Sequence, residues 1–288
     1  MSYVITGATG HLGRLVVESL LDHGVEPGQI VATGRDLSRI ADLAERGVQT
    51  RVADYDDPDS LRSAFDGADK VLLVSGSEIG NRLEGHRNAI EAAKAAGVSL
   101  VAYTSIAGAG HTDILLALDH QATERLLAES GVPYALLRNG LYLEVYTAQL
   151  PTYLEHGVAG SAGDGRLSAA ARADLAQAAA VILLSDDAAG QVYELAGDDA
   201  FTLAELASTL AEVTGKPVAY HDLSGEQHRE VLLGAGLPAA LADVFADIDR
   251  GIANGDLHVT TGDLGRLLGR HTTTLEEAVR QAALVEVA

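Results

Sequence analysis

The chain has 288 residues and a formal net charge of −21, which arises from 41 acidic against 20 basic side chains. A hydrophobic content of 47% is enough to bury a large core, yet no stretch approaches the roughly 20 apolar residues of a membrane span. Because no lysine or arginine cluster interrupts the acidic composition, we expect no binding to nucleic acid or to a membrane. Cysteine is absent, which excludes disulfides and thiolate sites, and the N-terminus lacks a leader pattern, so the cytoplasm is the expected location.

A short apolar run at residues 3–6 leads into a glycine-rich turn and a predicted helix over residues 14–23. A strand that opens into such a turn places backbone N–H groups and a helix N-terminus where a pyrophosphate binds. Gly7 permits the sharp turn, Gly10 lets the backbone approach the phosphates, and Gly13 lets the helix pack closely on the strand. The pattern predicts a dinucleotide site made by Gly7, Ala8, Thr9, Gly10, His11, Leu12 and Gly13.

The residues after the second predicted strand, residues 29–33, indicate which dinucleotide binds. In dinucleotide-binding folds this position reads the adenine ribose, with a carboxylate for a 2′-hydroxyl or an arginine for a 2′-phosphate. Arg35 therefore favours NADP(H), and Arg39 is a second candidate cation, whereas Asp36 keeps NAD(H) open. The structural alternative is that these are solvated charges at the start of a helix.

Further strands are predicted over residues 50–52, 70–75, 98–103 and 133–138, with helices over residues 37–45, 58–65, 83–96 and 116–129. This alternation specifies an α/β fold with a doubly wound parallel sheet and right-handed crossovers. Ligands bind outside the carboxyl ends of such strands. We therefore expect the cofactor site to include Asp54, Ser75, Gly76 and Thr104, although a surface carboxylate in a turn is an equally open interpretation of Asp54.

From residue 149 onward the pattern changes. We predict a nucleotide-binding domain over residues 1–148 and a smaller substrate-binding lobe over residues 149–288, with some of that chain returning to the first domain. Residues 157–165 are interpreted as a glycine-rich loop over the cleft, and residues 202–214 as a helix that begins with a Thr202–Glu205 capping box. The histidines of the lobe lack the spacing of metal ligands, so no metal is expected.

Several segments resemble the NmrA-like branch of the atypical short-chain dehydrogenase/reductases, and length and order agree from end to end. They include the glycine turn, Arg35, residues 102–105 and residues 138–146. Within this branch the chain is most similar to the flavin-free NADPH:quinone oxidoreductases of type 2, with the triphenylmethane reductases as cousins. The resemblance implies a Rossmann-type sheet with a smaller C-terminal α/β cap lobe. It also implies NADP(H) as the preferred cofactor, NAD(H) as a possible one, and hydride transfer to a quinone or related conjugated aromatic without flavin or metal.

Ordinary members of the wider superfamily carry a Tyr-x-x-x-Lys pair on the helix after the fifth strand, where the tyrosine donates a proton. The corresponding positions here are Leu116 and His120. Quinone reduction does not need that tyrosine, because the aromatic ring stabilises the anionic product. His120 is the candidate to hold the nicotinamide ribose or to polarise a carbonyl, and a purely structural histidine is the alternative.

The other candidate donors and pocket walls are Tyr103, Thr104, Ser105, Asn139, Tyr142 and Tyr146. If their segment is helical, Tyr142 and Tyr146 share a face, whereas an aromatic pair in a domain seam is the bland interpretation. Val145 stands where relatives commonly carry asparagine, so the acceptor preference is expected to differ.

Three functions remain open at this point. The first is the reductase, with a small aromatic or quinone substrate as its partner. The second is a nonenzymatic sensor of the NADP(H)/NAD(H) balance, which the missing Tyr-Lys pair motivates. The third is a tailoring enzyme acting on a polycyclic aromatic natural product, which Val145 motivates. A monomer or homodimer is expected.

Overall fold

The computed structural model describes residues 1–78, 80 and 82–287. Its first half contains β1 (Tyr3–Ile5), α1 (His11–Asp22), β2 (Ile30–Gly34), α2 (Ala41–Glu45), β3 (Gln49–Val52), α3 (Pro58–Phe65), β4 (Lys70–Leu73), α4 (Leu83–Ala96), β5 (Leu100–Ile106), α5 (Leu115–Ser130) and β6 (Tyr134–Asn139). The second half contains α6 (Leu143–Thr147), α7 (Leu150–His156), β7 (Val158–Gly160), α8 (Arg172–Leu184), β8 (Val192–Leu195), α9 (Leu203–Thr214), β9 (Tyr220–Asp222), α10 (Gly225–Gly234), α11 (Ala239–Ala253), α12 (Asp263–Leu268) and α13 (Leu275–Val287). Short 3-10 turns lie at Pro27–Gln29 and Leu37–Ile40.

The main sheet has seven strands in the order β3-β2-β1-β4-β5-β6-β8. Strands β1 to β6 pair in parallel, with Tyr3 opposite both Ile30 on β2 and Lys70 on β4. The strand order reverses at β1 and β4, which creates the switch point where doubly wound folds bind dinucleotides. The predicted Rossmann-type α/β fold is confirmed.

Both faces of this sheet are covered by helices. On one face, Val71 and Leu73 of β4 join a core cluster that includes Phe65 of α3 and Leu127 of α5. Leu72 lies outside that cluster but is equally buried, as expected for a strand whose successive side chains point to opposite covered faces. Helices α1 and α8 pack on one another, and α8 also packs on β4 and β5.

The chain forms two compact units that are interleaved along the sequence. The first comprises Met1–Ile106, Asp119–Asn139 and Arg172–Tyr193, and the second comprises Ala107–Leu118, Gly140–Ala171 and Glu194–Ala288. The predicted division at residue 148 assigns substrate binding to the later part of the chain. That division and that assignment stay a prediction. No helix in the described part of the chain is long and apolar enough to cross a membrane.

The second unit contains a small parallel sheet in which Val158 of β7 lies opposite Tyr220 of β9. Helix α9 packs on both strands, and α10 packs on α11 and on β7. The predicted loop over residues 157–165 is therefore wrong in part, because its first half pairs with a strand far along the chain. The predicted capping box is confirmed: Thr202 Oγ1 accepts from the Glu205 amide at 3.1 Å, and Glu205 Oε2 accepts from the Thr202 amide at 2.8 Å.

Candidate functional site

The turn between β1 and α1 has a backbone path that requires glycine. Gly7 has a φ of 61°, in the left-handed region that favours glycine. A Cβ atom at Gly13 would lie 2.4 Å from the Gly7 carbonyl oxygen, and one at Gly34 would lie 2.4 Å from Cγ2 of Thr9. The turn, the first residues of α1 and the end of β2 therefore approach more closely than any side chain would allow.

This turn leaves backbone donors for an anion. The Ala8 amide donates to the Thr33 carbonyl at 2.8 Å and the Gly10 amide to the Gly7 carbonyl at 2.9 Å. The next amides begin α1, which starts three residues earlier than predicted. They have no side-chain cap, and the first turn of the helix contains no acidic residue. Uncapped N–H groups and the positive end of the helix dipole fit the pyrophosphate of a dinucleotide.

The end of β2 presents one cation without a partner. Arg35 is exposed and makes no hydrogen bond or ion pair within residues 1–78, 80 and 82–287. Asp36 instead caps the following 3-10 turn, since its carboxylate accepts from the Ser38 hydroxyl at 2.6 Å and from the Ser38 amide at 3.1 Å. These hydrogen bonds hold the pKa of Asp36 below its usual range. Arg39 is also exposed.

The predicted residues at the ends of β3 and β4 differ in their surroundings. Asp54 lies in the turn that leads into α3, where its carboxylate accepts from the Asp56 amide at 3.2 Å. Ser75 is tied to β5, because its amide donates to Thr104 Oγ1 at 2.8 Å. The Gly76 amide donates to Nε2 of His86 on α4 at 3.0 Å. The structure therefore brings Ser75, Gly76 and Thr104 together and engages Asp54 in a local turn.

His120 is 5% exposed, and neighbours occupy both of its ring nitrogens. Arg82 Nη1, which can only donate, lies 3.2 Å from Nε2, and the Tyr103 hydroxyl lies 2.9 Å from Nδ1. Burial and the nearby Arg82 lower the pKa of His120 to about 3, so the ring is neutral. Burial also raises the pKa of Tyr103. The role predicted for His120 at the nicotinamide ribose stays a prediction, and this geometry offers the ribose no free ring nitrogen.

Ser105 and Asn139 lie at the ends of β5 and β6. The Ser105 hydroxyl donates to Glu124 Oε1 at 2.6 Å, and Arg138 donates to Glu124 Oε2 at 2.7 Å. Ser105 therefore offers a ligand lone pairs rather than a proton. Asn139 is 5% exposed, and its Oδ1 atom has no hydrogen-bond partner among the described residues. A buried acceptor without a donor is unusual and marks a place where a ligand or water would be stabilised.

The two predicted pocket tyrosines belong to the second unit. Helix α6 starts after Tyr142, which occupies the N-cap position, so Tyr142 lies outside the helix that contains Tyr146. Tyr146 is 9% exposed and packs edge-on against Phe201 with ring centroids 6.0 Å apart. Burial raises the pKa of Tyr146 far above its ordinary value. Its hydroxyl has no hydrogen-bond partner in the described part of the chain, so it is available as a neutral donor.

Arg82, His86 and Thr123 were not predicted as site residues. His86 and Thr123 are fully buried, and Arg82 is 7% exposed. A signal existed in the four-residue spacing of Arg82 and His86 at the start of an alanine-rich helix, but a helical pattern alone does not show which face is buried. Among the described residues, no group of three or more histidine, aspartate or glutamate side chains is arranged to hold a metal ion.

Comparison with known proteins places these features in a family. Residues 7–186 match the model of an NAD(P)H-binding family. Quinone oxidoreductase 2 of Escherichia coli is 49% identical over 276 residues, which cover 96% of each chain. The crystal structure of the E. coli NADPH-dependent quinone oxidoreductase QOR2 complexed with NADPH superimposes with a TM-score of 0.94 at 47% identity, covering 97% of this chain and 99% of that one.

A more distant neighbour is the Citrobacter sp. triphenylmethane reductase, which is 36% identical with a TM-score of 0.91 and covers 98% of this chain and 99% of its own. Both likenesses extend over nearly the whole length of the chain, as the resemblance noted in the sequence does, and that resemblance is confirmed. The glycine turn, which requires glycine at positions 7 and 13, lies within the matched region. The chain belongs to the NAD(P)H-binding family.

Proposed function

We propose that the protein is an NADPH-dependent, flavin-free oxidoreductase that reduces a quinone or a related conjugated aromatic. The cofactor preference rests on one observation: Arg35 is free at the end of β2, whereas the carboxylate of Asp36 is occupied by Ser38. An arginine at this place suits a 2′-phosphate. The acceptor class is supported by the 49% identity to a quinone oxidoreductase across 96% of both chains.

NADPH supplies the hydride when it is bound. The chain contributes binding and orientation: the first-turn amides of α1 hold the pyrophosphate, and Arg35 holds the 2′-phosphate. Ser105 has its proton committed to Glu124 and therefore accepts hydrogen bonds from the ligand. In the second unit, Tyr146 has a neutral hydroxyl that can donate a hydrogen bond. Asn139 contributes an unmet buried acceptor.

Among the described residues, the buried candidates His120, Tyr103 and Tyr146 are not suited to release a proton near neutral pH. The pKa of His120 is lowered to about 3, so the ring is neutral and does not act as an acid near neutral pH. Burial raises the pKa values of Tyr103 and Tyr146, so their hydroxyls also keep their protons. Hydride addition to a quinone gives a hydroquinone anion whose charge is spread over the ring. We infer that this anion takes its proton from solvent. An acceptor without such stabilisation, for example a simple ketone, is then a poor substrate.

The test is oxidation of NADPH and NADH by purified flavin-free protein across acceptors from benzoquinone to fused-ring quinones, with a simple ketone as control. Turnover of quinones with NADPH preferred supports the proposal. Good rates on fused rings together with poor rates on benzoquinone favour the tailoring enzyme. Binding of the oxidised cofactor without reduction of any acceptor contradicts the proposal and favours the redox sensor, for which a pull-down would then seek a partner protein.

The proposal includes a cytoplasmic location and a monomer or homodimer that works on a small molecule. The acidic net charge of −21 supports the absence of nucleic-acid and membrane partners. Light scattering on the purified protein measures the oligomeric state. A higher oligomer would contradict that part of the proposal.

A further inference from the structure

Residues 74–76 follow β4 as an irregular segment beside the glycine turn. The Thr6 amide donates to the Leu72 carbonyl at 3.0 Å, and a Cβ at Gly7 would lie 3.4 Å from Cβ of Val74. The segment therefore lies at the switch point between β1 and β4, where dinucleotides bind in folds of this type.

Side chains from three different elements occupy all three backbone amides of this segment. Val74 donates to Thr6 Oγ1 of the turn after β1 at 2.9 Å. Ser75 donates to Thr104 of β5, and Gly76 donates to His86 of α4. The carbonyl oxygens of Ser75 and Gly76 have no hydrogen-bond partner in the described part of the chain. The segment consequently offers acceptors to a ligand and no backbone donors.

The hydrogen bonds around His86 determine its tautomer. A backbone amide only donates, so Nε2 of His86 accepts from Gly76 at 3.0 Å. The ring proton is then on Nδ1 and is donated to Thr123 Oγ1 at 2.8 Å. Thr123 donates its own hydrogen to the Asp119 carbonyl at 2.9 Å. Each bond in this chain therefore has one possible direction. Burial lowers the pKa of His86 to about 4, which keeps the ring neutral.

An ion pair between the buried Arg82 and the partly buried Asp119 holds the far end of this chain of hydrogen bonds. Arg82 Nε donates to Asp119 Oδ2 at 3.2 Å, and the Gly80 amide donates to the same oxygen at 2.6 Å. The second donor group of Arg82 contacts His120. The rings of Tyr55 and Tyr103 meet His86 edge-on, with centroids 5.8 and 5.5 Å away. The ring of His86 is thus hydrogen-bonded at both nitrogens and in contact with two aromatic rings.

We propose that His86 is a positioning residue for the nicotinamide half of the cofactor. By holding the Gly76 amide, it presents the carbonyl oxygens of Ser75 and Gly76 to hydroxyl donors, and we assign these to the nicotinamide ribose. The assignment follows from two observations: His120 has no free ring nitrogen for the ribose, and the backbone of residues 74–76, at the switch point, has acceptors but no donors free among the described residues. The inference rests on the proposed function only in taking NADPH as the ligand.

The binding test uses two variants and two ligands. His86→Phe keeps the ring packing but cannot accept from Gly76, whereas His86→Gln places an amide oxygen near the position of Nε2. Loss of one buried hydrogen bond predicts that H86F weakens NADPH binding about 10- to 100-fold and that H86Q recovers much of it. Binding of 2′,5′-ADP, which lacks the nicotinamide half, is expected to stay within about twofold of the wild type. Equal weakening of both ligands, or no weakening of NADPH binding, would overturn the proposal.

A second measurement observes the wild-type ring of His86 directly. Nitrogen-15 NMR of the histidine side chains in the wild-type protein should show that His86, assigned by its loss in H86Q, is a neutral ring with its proton on Nδ1 and an accepting Nε2; the contacts of His120 predict the same tautomer for that ring. In Thr123→Val, which removes the acceptor of Nδ1–H, that signal should shift and NADPH binding should weaken, with 2′,5′-ADP binding retained. A wild-type His86 protonated on Nε2 would refute the inference. Neither experiment uses an electron acceptor. Both therefore test the role of His86 even if the protein does not reduce quinones.

Discussion

The glycine turn after β1 and the segment at residues 74–76 after β4 lie side by side, but they offer a ligand opposite kinds of hydrogen-bonding group. The turn is shaped by the absence of side chains, since a Cβ at Gly13 would overlap the Gly7 carbonyl, and it leaves amide donors at the start of α1. Residues 74–76 are instead held by the side chains of Thr6, His86 and Thr104, which consume the amides. Neighbouring strand ends therefore offer donors suited to phosphate and acceptors suited to ribose hydroxyls.

The largest expected effect on cofactor binding comes from adding a side chain to the glycine turn. In Gly13→Ala the new Cβ would lie 2.4 Å from the Gly7 carbonyl oxygen, and backbone atoms there cannot move aside without displacing α1. We expect the dissociation constants of NADPH and of 2′,5′-ADP to rise by about 100-fold or more, measured by calorimetric titration. Gly28→Ala is the matched control, because nothing lies within 4 Å of its Cβ. Unchanged binding in G13A would show that the close approach is not needed.

The next largest effect should distinguish the binding of NADPH from the binding of NADH. Arg35→Ala removes the free cation at the end of β2, so NADPH binding should weaken by about 10- to 100-fold, as for a lost charge-assisted hydrogen bond. NADH binding should change little. Arg46→Ala, another exposed arginine at the end of α2, is the control and should affect neither cofactor. A parallel loss for NADH would contradict the assignment of Arg35 to the 2′-phosphate.

Lowering the pH should weaken the hydrogen bond by which His86 holds residues 74–76. We expect it to leave the hydrogen bonds of the glycine turn unchanged. The pKa of His86 is lowered to about 4 and that of His120 to about 3, whereas an unfolded histidine titrates near 6.5. Below that pH the unfolded chain binds more protons than the folded one, so the free energy of unfolding falls as pH falls. Each histidine contributes about 1.2 kcal/mol to the change between pH 6 and pH 5.

Urea denaturation at pH 7, 6 and 5 measures this slope. H86F should reduce it by the share of one histidine. Thr209→Val on α9, which changes no titratable group, should leave it unchanged. A slope that H86F does not alter would mean that His86 is already protonated in the folded protein.

The smallest expected effect on cofactor binding comes from Thr104, whose side chain holds the Ser75 amide of residues 74–76. Thr104→Val keeps the shape of the side chain but removes the acceptor of the Ser75 amide, which is 2.8 Å away. We expect NADPH to bind about 5- to 10-fold more weakly and 2′,5′-ADP to bind normally. Thr209→Val on α9 removes an exposed hydroxyl that bonds within its own helix and should leave both affinities unchanged. An equal loss for both ligands in T104V would indicate general damage to the sheet.

Much of the fold was predictable from local patterns. Helix α3 at Pro58–Phe65 and helix α4 at Leu83–Ala96 have the bounds expected from sequence, because proline at a first turn and glycine after a last turn are local signals. Strand β5 extends further than predicted, to Ile106, since the polar Thr104 and Ser105 are buried by their partners rather than exposed in a loop. The pairing of β7 with β9 was missed because no local pattern reports a partner some 60 residues away.

The sequence by itself determined the alternation of strands and helices, the glycine turn, the arginine after β2 and the capping box of α9. Each of these depends on residues within a few positions of one another. The tertiary structure decided which polar groups remain free: Ser105 donates to Glu124, 19 positions away, and His86 donates to Thr123, 37 positions away. The free groups of the site are those left over after such distant pairings, and only the folded chain brings the pairs together.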